Sequence, residues 1–192
     1  MIQPPQPLSK EQLFTLDPAG APVTNKLPGE LRNFCFLLQP NFSMMALTSA
    51  IDALRTANLL SEEELYTFRL VSLDGAAVCS DLGFSAMADQ ALEELNFDHL
   101  DAFVVCGGLR VELQTPPKII RFLRQPELRK KTLGSLWNGL FALAHAGVIN
   151  DKKAVVHRSN RASFRETFAD INLKDKAYVI DHQCFSCAGG NS

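Results

Sequence analysis

The chain has 192 residues, 46% hydrophobic and 21% charged, with a net charge of −2, a pI near 6.1 and a mean hydropathy of zero. That length suffices for one domain with a substantial core, and the charge balance excludes an electrostatic footprint for nucleic acid or an anionic membrane. No apolar run reaches the ~18 residues of a membrane span. The opening MIQPPQPLSKEQ also lacks the charged-then-apolar order of a signal peptide, so a cytoplasmic protein is expected. Cys35, Cys79, Cys106, Cys184 and Cys187 form a scattered, odd-numbered set, which predicts reduced thiols mostly buried in strands. The CxxC at 184–187 has no second pair and is weak as a zinc signal.

Residues 1–30 hold six of the ten prolines and little apolar periodicity, predicting a loosely packed arm ahead of a domain over 31–192. "RNFCFLLQ" (32–39) fits a strand buried on both faces. "PNF" turns the chain, and Ser43 is placed to cap a helix over 44–60, whose Leu47, Ala50, Ile51 and Leu54 fall at helical spacing. Residues 66–86 are β-rich, with Asp74-Gly75 as a tight turn between two strands. "HLDAFVVCGG" (99–108) reads as another buried strand, Ala102 to Cys106, ending in two glycines. A helix over 116–126 follows, opened and ended by proline. "KKTLGSLWNG" (130–139) is a third strand running into a compact apolar helix that stops at Gly147. A strand at "KKAVVH" (152–157), a helix over 159–171 and a β-rich "KAYVIDHQCFSCAGG" (176–190) complete the pattern. Such alternation predicts an α/β fold, a flavodoxin-like three-layer sandwich with a mostly parallel sheet. The abrupt end at "AGGNS" suggests a piece of a longer protein.

In an open parallel sheet, ligands collect beyond the carboxyl ends of the strands. Four segments deliver residues there: Pro40-Asn41-Phe42-Ser43, Gly107-Gly108-Leu109, Trp137-Asn138-Gly139 and His157-Arg158. The Gly-Gly turn and the helix start at 138 offer backbone N–H groups suited to a carboxylate or oxyanion. Acyl transfer needs, in addition, a nucleophile at the strand-to-helix elbow with a base in reach. Here the elbow holds Trp137.

The order of "FCFLLQPNFSMMALTSAIDALRTAN", "LDAFVVCGG", "LGSLWNGLFALAHAGVINDKKAVVH" and "VIDHQCFSCAGG" resembles the PfpI/ThiJ, class I glutamine amidotransferase-like superfamily. More narrowly, it resembles the N-terminal effector domains of AraC-family transcriptional regulators, from about residue 32 to the end. The resemblance implies that the enzymes' elbow Cys corresponds to Trp137, their His to His157, and their acidic residue to Ser43 or its neighbour Phe42. Both the nucleophile and the acid are therefore missing. Cys106 is a substitute nucleophile only in principle: it lies in a buried run, away from the helix start that lowers a thiol pKa.

What the resemblance implies is a non-catalytic domain that senses a small-metabolite effector, with DNA bound only through a C-terminal helix-turn-helix domain outside this chain. A homodimer is expected, and no membrane, metal or cofactor. The expected contacts are Phe42, Ser43, Gly107, Gly108, Leu109, Trp137, Asn138, His157 and Arg158. An indole face attracts a quaternary ammonium by ~0.5–2 kcal/mol, so an amino acid, betaine or amine-like effector is expected. Two other readings stand beside this one, a PfpI-type hydrolase or hydratase and a ligand-free dimerisation module with Trp137 and Phe42 filling the cleft.

Individual side chains carry alternatives of their own. His157 is placed to donate to a carboxylate, or else to bond to backbone. Arg158, Arg161 and Arg165 line one helix face, where Glu166 and Asp170 mix the sign, so a solvated row is expected, with Arg158 as an anion partner. Asp52 and Arg55 are expected to pair with each other or with solvent. Met44 and Met45 belong to the core or to a subunit contact, and His99, His145 and His182 are structural or solvated.

Overall fold

The computed structural model describes residues 30–61, 63–126 and 128–189; the arm predicted over 1–30 lies outside them but for Glu30. Three interior strands, β1 (Arg32–Leu38), β6 (Ala102–Cys106) and β7 (Thr132–Leu136), form the middle of a seven-stranded sheet. Between β1 and β6 come α1 (Met44–Ser61), β2 (Tyr66–Ser72), the short strands β3 (Val78–Cys79) and β4 (Ser85–Ala86), and β5 (Gln90–Ala91). After β6 come α2 (Pro117–Leu123), then β7, α3 (Leu140–His145), β8 (Lys153–Ala154), α4 (Arg161–Thr167), β9 (Asn172–Leu173), β10 (Tyr178–Asp181) and β11 (Cys184–Cys187). The sheet order is β10-β11-β7-β6-β1-β2-β5, parallel throughout except where β10 meets β11.

Side chains alternate across the strands, and both faces are covered, which is why the central strands read as unbroken apolar runs. Cys35, Leu37, Phe103 and Val105 point to one side, into a core closed by α2, α3 and α4 through Phe122, Leu143 and Phe164. Phe36, Leu38, Val104 and Cys106 point to the other, where α1 contributes Ala46 and Leu47. The result is the expected three-layer sandwich, with α1 covering its face of the sheet alone among the described helices.

Several boundaries differ from the sequence reading for local reasons. The Asp74-Gly75 turn exists, with φ +82° at Gly75, but makes no hairpin. Asp74 Oδ1 accepts from the Ala76 amide (3.0 Å) and the Ser72 hydroxyl donates to the Ala76 carbonyl (2.8 Å), so the loop closes on itself and β3 pairs with β4 instead. α2 ends at Leu123, short of Pro126, because a proline disfavours helix at the residue before it. The Arg124 guanidinium then turns away to donate to the Ala146 and His145 carbonyls at the end of α3, both at 3.1 Å. Gly147 follows that end with φ +71°, as a helix stop of this kind requires.

The helix expected over 159–171 is a 3-10 turn, Arg158–Asn160, joined to α4, which stops where Phe168 leaves helical geometry and packs its ring on Phe141 and Phe164. The strand expected over 152–157 shrinks to β8, outside the main sheet and paired with β9. Val155 and Val156 are buried, but the Val155 amide donates to a side chain of β11, Ser186 Oγ (2.9 Å), rather than to a strand backbone.

Phe103 is fully buried at the sheet centre, 5.1 Å from the Phe122 ring. Phe103→Ala is expected to destabilise the fold by about 3–5 kcal/mol, read as a lower urea midpoint with an unchanged slope.

Candidate functional site

β7, β6 and β1 lie side by side, so the segments leaving their carboxyl ends meet above the sheet. The tightest is the elbow after β7. Trp137 sits at φ +57°, a left-handed conformation that costs an ordinary side chain on the order of 1–3 kcal/mol unless its surroundings hold it there. The holding groups are close. A Cβ at Gly107 would collide with Asn138 Oδ1 and the Gly139 amide, and one at Gly139 would collide with the Val105 carbonyl. Two bare glycines thus let the elbow press down onto the end of β6.

The same press uses up the Gly-Gly amides that the sequence reading offered to an anion. The Gly107 amide donates to the Leu136 carbonyl (3.1 Å) and the Gly108 amide to Asn138 Oδ1 (2.8 Å). In this structure the Gly-Gly turn is a clamp between β6 and the elbow, not a free oxyanion cradle. Asn138 is 2% exposed and acts as part of that clamp, with its Nδ2 buried and without a hydrogen-bond partner.

The turn after β1 is drawn into the same knot. The Ser43 amide donates to the Gly107 carbonyl (2.9 Å), and Ser43 Oγ accepts from the Ala46 amide (3.4 Å), capping α1 as expected. Asn41 has φ +63°, and this reversal sends Phe42 inward. Phe42 is 0% exposed and packs in the core that contains Leu38, Cys106 and Leu136. It does not share an open surface with Trp137, which corrects its place among the expected contacts.

Trp137 faces His157 instead. The two rings stack with centroids 4.1 Å apart and planes 23° from parallel. Trp137 is half-buried, its Nε1 lies buried without a hydrogen-bond partner, and the Gly189 backbone packs so closely on the indole that a Cβ there would lie 2.6 Å from Trp137 Cε3. His157 Nδ1 accepts from the Ser159 amide (3.3 Å) and lies 2.7 Å from the Ser159 hydroxyl. An acceptor role at Nδ1 assigns the proton of the neutral ring to Nε2. Burial, and secondarily the charge of Arg158, hold the imidazole below the ordinary histidine value, so the ring is neutral at pH 7. Leu109 and Arg158 are exposed beside the elbow and the stack, respectively.

Three residues of this region carried no sequence signal. Asp81 Oδ1 accepts from the Met44 amide (3.1 Å), placing a carboxylate at the start of α1 from a distant loop. The Arg110 carbonyl receives the Asn41 side-chain amide (3.4 Å). Gly189 reaches Trp137 because β11 runs parallel beside β7, a pairing that no local pattern announces.

Three of the five thiols are buried and poorly suited to chemistry. Burial pushes Cys35 up to about 12 and Cys184 up to about 11, and raises Cys106 as well, with no cation close enough to offset it there. Cys184 and Cys187 are three apart on a strand and join opposite cores, so the CxxC does not converge on a metal. Among the described residues no group of three or more His, Cys, Asp or Glu side chains is placed to hold one, and no helix is long and apolar enough to cross a membrane.

Comparison with known proteins agrees with this architecture. Residues 32–191 match the model of the DJ-1/PfpI family. The chain belongs to that family. Among curated relatives it is 31% identical to the HTH-type transcriptional regulator GbdR of Pseudomonas aeruginosa over 173 residues, covering 90% of this chain and 46% of that protein. It is 33% identical to the HTH-type transcriptional regulator CdhR of the same organism, covering 84% and 47% respectively. The chain thus spans about half the length of the curated relatives it matches. Among solved structures, an AraC family transcriptional regulator from Pseudomonas putida is 36% identical with a TM-score of 0.73, covering 82% of this chain and 84% of that one. A ThiJ/PfpI domain protein from Brachyspira murdochii, 15% identical at a TM-score of 0.71 over 84% and 89%, shares the fold.

Trp137 is the only tryptophan of the chain, so its fluorescence reports on the stack directly. Protonation of His157 is disfavoured in the folded state. The stack's contribution to stability is therefore complete above the unfolded histidine pKa of ~6.5 and is lost as pH falls below it. Trp137 emission is expected to change with a midpoint below that value, and His157→Asn to abolish the change. A midpoint above it would contradict the assigned neutral stack.

Proposed function

We propose that this chain is the effector-sensing domain of a bacterial HTH-type transcriptional regulator of the AraC class, and that it binds a small metabolite at the elbow without transforming it. The domain spans residues 31–192 in this reading, and DNA contact belongs to a separate helix-turn-helix domain. The observation that carries the proposal is Trp137. An indole in a strained left-handed elbow, clamped by Gly107, Gly108 and Asn138, stands where the resemblance puts the nucleophile of the family's enzymes. The relatives' designations as regulators support the same choice.

The chemistry suits an amino acid, betaine or amine-like effector. The part of the half-buried indole that His157 and Gly189 leave uncovered offers π-surface to a cationic head. Arg158 and the Nε2–H of neutral His157 offer donors to a carboxylate. A cytoplasmic location follows from the regulator reading. Ligand binding must favour one arrangement of the protein over another, since equal affinity for both shifts nothing.

Titration calorimetry of the chain against a panel of amino acids, betaines and amines tests this. One class is expected to bind, and Trp137→Ala to weaken that binding by about tenfold, roughly 1.4 kcal/mol. No binding to any of them would overturn the assignment and favour a ligand-free module, and an affinity that Trp137→Ala leaves unchanged would overturn the elbow as the binding site.

A further inference from the structure

Trp137 has two covers, and they differ in kind. His157 lies face to face on the indole, with 4.1 Å between ring centroids. It is fixed from both sides along the chain: Val155 and Val156 before it are buried, and the Ser159 amide after it donates to Nδ1 (3.3 Å). The other cover is backbone. Gly189 is buried against the fused edge of the indole, where a Cβ would stand 2.6 Å from Cε3, 2.9 Å from Cδ2 and 3.1 Å from Trp137 Cβ. Cε3 and Cδ2 belong to the six-membered ring, part of the π-surface that attracts a cation.

The segment that carries Gly189 leaves the sheet at this point. β11 ends at Cys187, and the Ala188 amide still donates to the Ala177 carbonyl (2.8 Å). Gly189 lies one residue further on, its amide on Cys187 Sγ (3.4 Å), and sulfur is a weak acceptor. Its φ of +93° is one that glycine adopts freely and other residues rarely. With no side chain, it lies across the ring edge more closely than any other residue type could.

We propose that Ala188–Gly189 is a strap that competes with the effector for the indole. A cationic head first meets the part of the ring left uncovered and settles onto the six-membered ring as the strap lifts, while His157 stays in place to meet the carboxylate. The inference rests on the effector reading above and adds the regulation of that site. Strap down and strap up are the two arrangements between which the ligand discriminates. A strap that is mostly down lowers the apparent affinity in proportion to the fraction of molecules with it up. Lifting it moves the chain leaving β11, beyond which the regulator reading places the helix-turn-helix domain.

Titration with trimethylglycine, the simplest betaine, and hydrogen exchange on the same samples test the strap. Gly189→Ala introduces the clashing Cβ and disfavours φ +93°, which holds the strap off the ring. The dissociation constant is expected to fall by about fivefold or more, and acrylamide quenching of Trp137 fluorescence to rise even without ligand. In the wild-type chain, saturating trimethylglycine is expected to speed exchange of the Gly189 amide by about tenfold or more. The Gly108 amide, held by Asn138 in the clamp, keeps its rate. This second measurement needs no substitution and decides the matter if Gly189→Ala does not fold. Equal or weaker binding by folded Gly189→Ala overturns the strap and leaves the effector reading standing. So does a Gly189 amide whose exchange binding slows or leaves unchanged. Trimethylglycine bound by neither form overturns the strap as well, whereas the effector reading falls only if every member of the calorimetric panel fails.

Discussion

The left-handed turn at Trp137 is the constraint around which the site is arranged. A tryptophan does not adopt φ +57° unaided, and here the conformation is over-determined from below by β6 and from the side by β11. Gly107 and Gly139 remove the side-chain atoms that would otherwise keep the elbow off the β6 end. The Asn138 carboxamide then fixes Gly108 at hydrogen-bond distance. Strain at the elbow is offset by the packing of a sheet in which β6 and β7 are buried along their whole length.

The consequence for chemistry is one of orientation. An elbow forces its side chain outward, away from the core, which is the geometry a nucleophile needs. The same geometry applied to an indole yields a flat, polarisable surface, stacked on a neutral imidazole and flanked by an exposed guanidinium at Arg158. The glycine amides that would stabilise an oxyanion are turned inward to hold the elbow. Cys35, Cys106 and Cys184 lie in β strands, where burial raises their pKa. Each of these features favours holding a molecule over breaking one of its bonds.

Much of the framework was legible because the central strands are buried on both faces, and such strands read as short continuous apolar runs. The elbow was legible for a related reason, since "LGSLWNG" joins one of those runs to an apolar helix without a spacer. The β10–β11 hairpin was not resolved within 176–190, because its turn places His182 rather than a glycine at φ +56° and so carries no turn signal. Phe42 was misassigned to the cleft because the turn at "PNF" was legible but the direction in which the left-handed Asn41 sends the next side chain was not. The role of the Gly107 and Gly108 amides depends on strand neighbours, and register is not written in any single segment. The same holds for Gly189 and for Asp81, which act on residues far away in the chain.

If the elbow grips without reacting, none of the five cysteines should behave as an activated thiol. Labelling of the folded protein with a thiol-directed probe at neutral pH, resolved by residue, measures this most directly. Exposed Cys79 is expected to react at the rate of an ordinary thiol, while Cys35, Cys106 and Cys184 stay protected until the chain unfolds. One cysteine that reacts far faster than the rest, and whose replacement by alanine abolishes turnover of any substrate, would contradict the account.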